Sequence, residues 1–271
     1  MSTPFVSPLP EEIDNLWERR ADLTPNDSDA RDTIIAAVDD LDAGKARVAF
    51  VDTDTDEVVV DERAKRSILL SFRVLEMERS EVGSFVHNDR IPLKTRFDGV
   101  RVVPGAIARW GAYLAPGVVL MPSFTNFGAY VASGTMVDTW ATVGSCAQVG
   151  ANVHLSGGVG VGGVLEPPQA SPVVIEDDAF LGSRSMVVEG ARVRRGAKLG
   201  AGTILTASTR LRRGDRRGAP PRRGAGLVGL RDREPREELP RRGLRDAVPA
   251  GAQAAARGGR ARQARPQRDA A

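Results

Sequence analysis

A mainly β chain, wound into a coil of short stacked strands behind a small and mostly helical N-terminal unit, is predicted by three observations. From residue 119 an aliphatic residue returns at every sixth position: Val119, Thr125, Val131, Val137, Val143, Val149, Leu155 and Val161, then Ile175, Leu181, Val187, Val193, Leu199 and Leu205, with Thr125 the one exception. Two positions earlier in most hexads stands a small residue, among them Gly117, Ser123, Ala129, Thr135, Ala141, Ala147, Ala179, Ser185, Ala191 and Ala197. Glycine is frequent one position after, as at Gly144, Gly150, Gly162, Gly182 and Gly200. Neither a helix, repeating every three to four residues, nor an amphipathic strand, repeating every two, has a period of six. Three hexads per turn, each with one large side chain inward and a tight turn at a small residue, do. A single coil exposes its inner face, so several must stack.

The elements ahead of the repeat are read in order. Residues 11–24 carry Ile13, Leu16 and Trp17 at helical spacing, and a second helix runs through DTIIAAVDDLDAG to stop at Gly44. RVAFVD and EVVVDE flank the polar TDTD and predict a β-hairpin. A third helix over residues 62–79 presents Ile68, Leu69, Phe72 and Leu75. The N-terminal unit is thus 1–98 and the coiled domain 99–209. GGVLEPPQASP (162–172) advances the phase by two extra residues, and its prolines disfavour paired strand. It is expected to form an external loop.

Composition excludes several classes. No run approaches the ~18 apolar residues of a membrane span and the N-terminus lacks a signal-peptide pattern, so a cytoplasmic protein is expected. The single cysteine, Cys146, forms no internal disulfide, and His87 and His154 are too few for a three-histidine zinc site, so no metal is expected. Charge is unevenly spread: 20 Lys and Arg against 28 Asp and Glu in residues 1–209, a net −8, but 18 against 7 in residues 210–271, a net +11.

RFDGVRVVPGAIARWGAYLAPGVVLMPSFTNFGAYV, GTMVDTWATVGSCAQVGANVHLSGGVGVGGVLEPPQA and IEDDAFLGSRSMVVEG, with ERRADLTP and SILLSFRV upstream, resemble the tetrahydrodipicolinate N-succinyltransferases, hexapeptide-repeat enzymes of bacterial lysine and diaminopimelate synthesis. The likeness runs from about residue 11 to 209. It implies a left-handed parallel β-helix, a homotrimer with sites between neighbouring coils, and transfer of the succinyl group of succinyl-CoA to the amino group of ring-opened tetrahydrodipicolinate. Succinyl-CoA is then a co-substrate, with no permanently bound cofactor.

Such chemistry needs a proton acceptor for the amine, a donor for the tetrahedral oxyanion and cations for the acceptor's carboxylates. Asp138 of TMVDTW matches the family carboxylate that engages the amine, and Arg101 of GVRVVP matches an arginine that binds a substrate carboxylate. Arg184 of GSRS is a further candidate for carboxylate or phosphate. Gly157, Gly158, Gly162 and Gly163 are candidates for close approach of the pantetheine arm; their stretch lacks the lysine and helix of a P-loop. Met186 departs from the family, many members carrying glutamate there, and Glu189 is the neighbouring carboxylate available to compensate. His154 is a candidate for orienting the thioester and, more simply, a structural residue. Cys146 has no basic neighbour in sequence to activate it. Trp110 and Trp140 are expected to pack between coils or subunits.

Other classes remain open at this point: an acetyl-CoA-dependent transferase acting on a similar acceptor, a non-catalytic β-helix, or a nucleic-acid binder driven by the basic tail. The tail has a simpler reading. Gly, Ala, Pro and Arg make up 45 of its 62 residues, lysine is absent, and Val228 and Val248 are its only β-branched residues. All four dominant residues have GC-rich codons, and the hexads stop where this composition begins. A reading-frame change after Thr209 is therefore expected, with the segment disordered or weakly helical, nucleic-acid binding not functional, and the chain catalytically impaired.

Overall fold

Residues 5–209 and the strand Leu227–Val228 are described by the computed structural model. From Arg101 the chain makes two-residue strands that pair in parallel into three six-stranded sheets, the faces of a β-helix about six coils tall. Face 1 stacks Arg101–Val102, Val119–Leu120, Met136–Val137, His154–Leu155, Phe180–Leu181 and Lys198–Leu199. Face 2 stacks Ile107–Ala108, Phe124–Thr125, Thr142–Val143, Gly160–Val161, Met186–Val187 and Ile204–Leu205. Face 3 stacks Tyr113–Leu114, Tyr130–Val131, Gln148–Val149, Val174–Ile175, Arg192–Val193 and Leu227–Val228.

The second residue of each strand from Ala108 to Leu205 faces inward and is buried. Each such Val or Leu contributes about 1.5–3 kcal/mol, and the small residues two positions earlier are buried beside them. The hexad series needs one correction at its start. Leu120, not Val119, is the inward residue, and the preceding ones are Leu114 and Ala108. The step from Leu120 to Thr125 is five residues, so one residue is missing from the corner at Met121–Ser123. Val118, rather than Gly117, takes the small-residue place there and is fully buried. The Thr125 hydroxyl is buried without a hydrogen-bond partner, the one polar atom in this column.

Ahead of the coil lie α1 (Glu12–Glu18), α2 (Ser28–Asp42) and α3 (Glu62–Val74), with the antiparallel pair Ala49–Val51 and Val58–Val60 between α2 and α3. Asp61 caps α3 by accepting from the Ala64 N–H. The helix ends five residues before the expected 79, where Leu75 turns extended. The chain instead enters a hairpin, Glu78–Val82 with Phe85–Asp89, closed by the two-residue turn Gly83–Ser84 with Gly83 at φ +60°. Its buried stripe is also rotated from the expected one: Ile68, Leu70 and Val74 are buried, whereas Leu69, Phe72 and Leu75 are half-buried.

The N-terminal unit covers face 3, which is why the outward Gln148, Val174 and Arg192 are buried there. Arg47 donates to Gln148 at 2.8 Å with its guanidinium 3.8 Å from the Tyr130 ring centroid. The 162–172 segment leaves the coil and is held by Lys65 of α3, whose buried ammonium donates to the carbonyls of Pro167 at 3.0 Å and Ala170 at 2.8 Å. Burial lowers the Lys65 pKa. The expectations for residues 210–271 lie outside the described residues except at Leu227–Val228, which pairs with Arg192–Val193 as a further rung of face 3, a strand where none was expected.

Candidate active site

Most corners of the coil are short turns whose third residue takes the left-handed conformation that favours glycine. On the corner between faces 1 and 2 those residues are Gly105, Trp140, Gly158, Arg184 and Gly202; the shortened corner at Met121–Ser123 has none. Backbone bonds bind this corner into a column: Trp140 N donates to Pro122 O at 2.6 Å, Gly158 N to Thr139 O at 2.9 Å and Arg184 N to Gly157 O at 3.0 Å. A bulky residue in this region costs on the order of 1 kcal/mol, and two, Trp140 and Arg184, sit here among glycines.

This column gathers Asp138, Gly157, Gly158 and Arg184. Asp138 opens its turn and is half-buried; its Oδ1 accepts from the Thr139 N–H at 2.6 Å, which fixes the carboxylate while Oδ2 remains for another donor. Arg184 is exposed two coils above, about 10 Å away at the spacing of paired strands. Arg101 is exposed on face 1, two coils below Asp138. Above Arg101 the outward column of face 1 runs through Val119, Met136, His154 and Phe180, with His154 stacked on Phe180 at 5.2 Å. Two arginines thus bracket one oriented carboxylate along an otherwise weakly charged edge.

The profile of the N-terminal domain of tetrahydrodipicolinate N-succinyltransferase matches residues 8–74, and that of the hexapeptide repeat of succinyl-transferase matches residues 172–207. The 2,3,4,5-tetrahydropyridine-2,6-dicarboxylate N-succinyltransferase of Dechloromonas aromatica is 50% identical over 198 residues, 69% of this chain and 71% of that protein. The enzyme of the same name from Paramagnetospirillum magneticum is 51% identical over 199 residues, 70% and 71% of the two chains. The chain belongs to the tetrahydrodipicolinate N-succinyltransferase family. No helix among its described residues is long and apolar enough to cross a membrane.

Within this N-succinyltransferase frame the remaining candidates separate. Gly162 and Gly163 lie past face 2, on the next corner, away from Gly157 and Gly158. A Cβ on Gly144 would stand 2.2 Å from Gly163 N, so this glycine pair lets two coils approach. Glu189 is exposed on that same second corner and so is not gathered with Asp138. Met186 lies outward on face 2, two coils above Thr142, with its thioether against Gly160. Trp110 packs as expected, stacked on Phe127 with its N–H donating to Asp39 at 2.8 Å. Trp140, next but one to Asp138, is 77% exposed and so does not pack between coils among the described residues.

Cys146 sits in the core of the N-terminal unit, and burial pushes its thiol from an ordinary 9.0 up to about 12, with nearby Lys65 opposing the shift. It is not a nucleophile. Because the folded pKa is raised, its contribution to stability is full below about pH 9 and is lost as pH rises through 9 toward 12. Cys146→Ala is expected to flatten the alkaline loss of stability over that range. Denaturation midpoints at stepped pH check this, an unchanged slope being the contrary result.

Proposed function

We propose that the chain transfers a succinyl group from succinyl-CoA to the amino group of ring-opened tetrahydrodipicolinate, as its relatives are named for doing. The observation that supports this reading is Asp138 on the corner between faces 1 and 2, with Arg184 two coils above on that corner and Arg101 two coils below on the adjoining face 1, in a chain of this family. The amine attacks the thioester carbonyl while the Asp138 carboxylate accepts its proton. Collapse of the tetrahedral intermediate breaks the C–S bond, leaving the amide and CoA thiol. Arg101 holds an acceptor carboxylate, and Gly157 and Gly158 let the pantetheine arm lie against the backbone. Gly162 and Gly163 reach that arm only by way of a neighbouring copy, which fits a homotrimer with sites between coils. A cytoplasmic location suits a CoA-dependent enzyme. Release of CoA with succinyl-CoA, and not with acetyl-CoA, in the presence of the acceptor tests this function.

Arg101→Lys is expected to raise the acceptor KM more than the succinyl-CoA KM, because lysine keeps the charge and loses the planar fork. Steady-state kinetics with each substrate varied in turn decide it; equal effects on both would assign Arg101 a role in folding.

A reading-frame change after Thr209 is part of the same proposal. The arginine-rich composition of residues 210–271 supports it, as does the end of the hexapeptide-repeat match at residue 207. Translating the encoding DNA downstream of Thr209 in the other two frames is expected to yield a Val- and Ile-containing continuation of the hexads. If neither frame does, the segment is a genuine part of the protein.

A further inference from the structure

Among the described residues two lysine side chains are almost out of solvent, and they are satisfied differently. Lys94, its side chain 7% exposed, pairs with the Asp42 carboxylate at 2.6 Å. Lys65 of α3 is fully buried, and its ammonium hydrogen-bonds to no carboxylate among the described residues; it donates to the carbonyls of Pro167 at 3.0 Å and Ala170 at 2.8 Å. The nearby Cys146 thiol, its pKa pushed up to about 12, supplies no counter-charge at neutral pH. An ammonium buried without a counter-ion carries a desolvation cost that an apolar side chain of similar volume would not.

What accompanies that cost is a fixed position for the 162–172 loop. The loop leaves the coil at Gly162–Gly163, where the Val164 N–H donates to Ser145 O at 3.2 Å, and sets Leu165 against the core of the N-terminal unit. It returns with the Ser171 carbonyl over Gly190, where a Cβ would come within 2.5 Å of that oxygen. Between these points the Ala170 N–H closes a turn onto Pro167 O at 3.0 Å, and Lys65 binds both carbonyls of that turn. Pro167 is exposed and Ala170 half-buried, so water can reach the loop's outer side.

We propose that Lys65 is a positioning residue for the acyl donor: from α3 it holds the 162–172 loop in the arrangement in which Gly162 and Gly163 meet the pantetheine arm bound against a neighbouring copy. Lys65 touches no substrate and acts only through the loop. The helical unit is then a determinant of donor affinity as well as a cover for face 3. This inference rests on the acyl-transfer reading above.

Lys65→Met in the full chain tests it, with hydrogen exchange followed over residues 162–172 and succinyl-CoA binding measured by isothermal titration. Methionine keeps the apolar stem and removes the buried charge, and water takes over the two carbonyls. The melting temperature is therefore expected to stay level or rise, whereas a merely structural lysine would lower it. Exchange across 162–172 is expected to quicken at least about 10-fold while the coil peptides are unchanged. Succinyl-CoA affinity is expected to fall by about 10-fold, the factor that applies when the competent arrangement is a tenth populated. Leu165→Ala frees the same loop from its apolar contact without touching α3 and is expected to weaken succinyl-CoA in the same direction, so the test does not depend on one variant folding. A loop that exchanges no faster in Lys65→Met overturns the proposal, as does a loosened loop with unchanged succinyl-CoA affinity, which would leave the acyl-transfer reading standing. A parent chain that binds no succinyl-CoA would overturn both together.

Discussion

Asp138→Asn is expected to lower kcat/KM by roughly 10²-fold or more, the scale of a lost general base. Asparagine matches aspartate in size, and its amide oxygen can still accept the Thr139 N–H that now bonds Oδ1 at 2.6 Å. The corner therefore keeps its shape, and what disappears is the basicity of the outer oxygen. The loss should fall on kcat more than on either KM, since binding through Arg101 and Arg184 is untouched. The comparison is made in whichever parent releases CoA, the chain as it stands or its frame-restored form. Near-native turnover in the mutant would remove Asp138 from the mechanism. Among the described residues no second carboxylate is gathered on this corner, which makes the measurement more telling.

The largest expected effect on stability is at Arg192. Its side chain is 8% exposed and donates through Nε to Glu176 at 2.5 Å, and through its terminal nitrogens to the Asp56 carbonyl at 2.5 Å and carboxylate at 2.7 Å. It ties the turn of the first N-terminal hairpin to the fifth strand of face 3. Arg192→Ala leaves the Glu176 carboxylate, 17% exposed, without its ion-pair partner. Breaking a buried pair from one side costs about 3 kcal/mol, or roughly 6–12 °C in Tm for a domain of this size. Arg195→Ala is the control: that guanidinium is 64% exposed beside Asp177, and a surface pair of this kind is worth about 0–1 kcal/mol. Thermal unfolding followed by circular dichroism separates the two. Equal, small shifts would mean that the Asp56 turn is not held by Arg192.

The coil was legible in the sequence because its inward column is written one residue per hexad, and burial leaves little choice there beyond Val, Leu and Ile. The slip at Met121–Ser123 was not, since Val119 and Leu120 are both aliphatic and either fits the count. The hairpin at Glu78–Asp89 is not legible, because the helical pattern read over 62–79 runs into its first two residues and ERSEV, polar and charged, carries no strand alternation of its own. At the candidate site, Asp138, Arg101 and Arg184 can be singled out from the sequence as candidates, but their vertical spacing follows from strand register. Which corner lies open follows from where the N-terminal unit docks, a tertiary fact absent from the hexad phase. Trp110 and Trp140 are both corner tryptophans; one is covered by that unit and the other is not.

Phe127 and Cys146 belong by sequence to the repeat, yet both are buried in the core of the N-terminal unit, with Ile68 of α3 at the Gly128 turn between them. Repeat proteins of the solenoid kind ordinarily gain stability additively, each unit leaning on its neighbours, and so tolerate the loss or duplication of a unit. Here two adjacent turns are committed to a second core that fixes which coil they are. Inserting or deleting a coil beneath Phe127 would carry the second core past its partners, so the repeat count is set by the helices and not by the repeat. The same interlocking makes residues 1–98 and the first coils a single cooperative folding unit, and gives the ladder of interchangeable hexads a fixed origin from which Asp138 and the arginines around it are numbered.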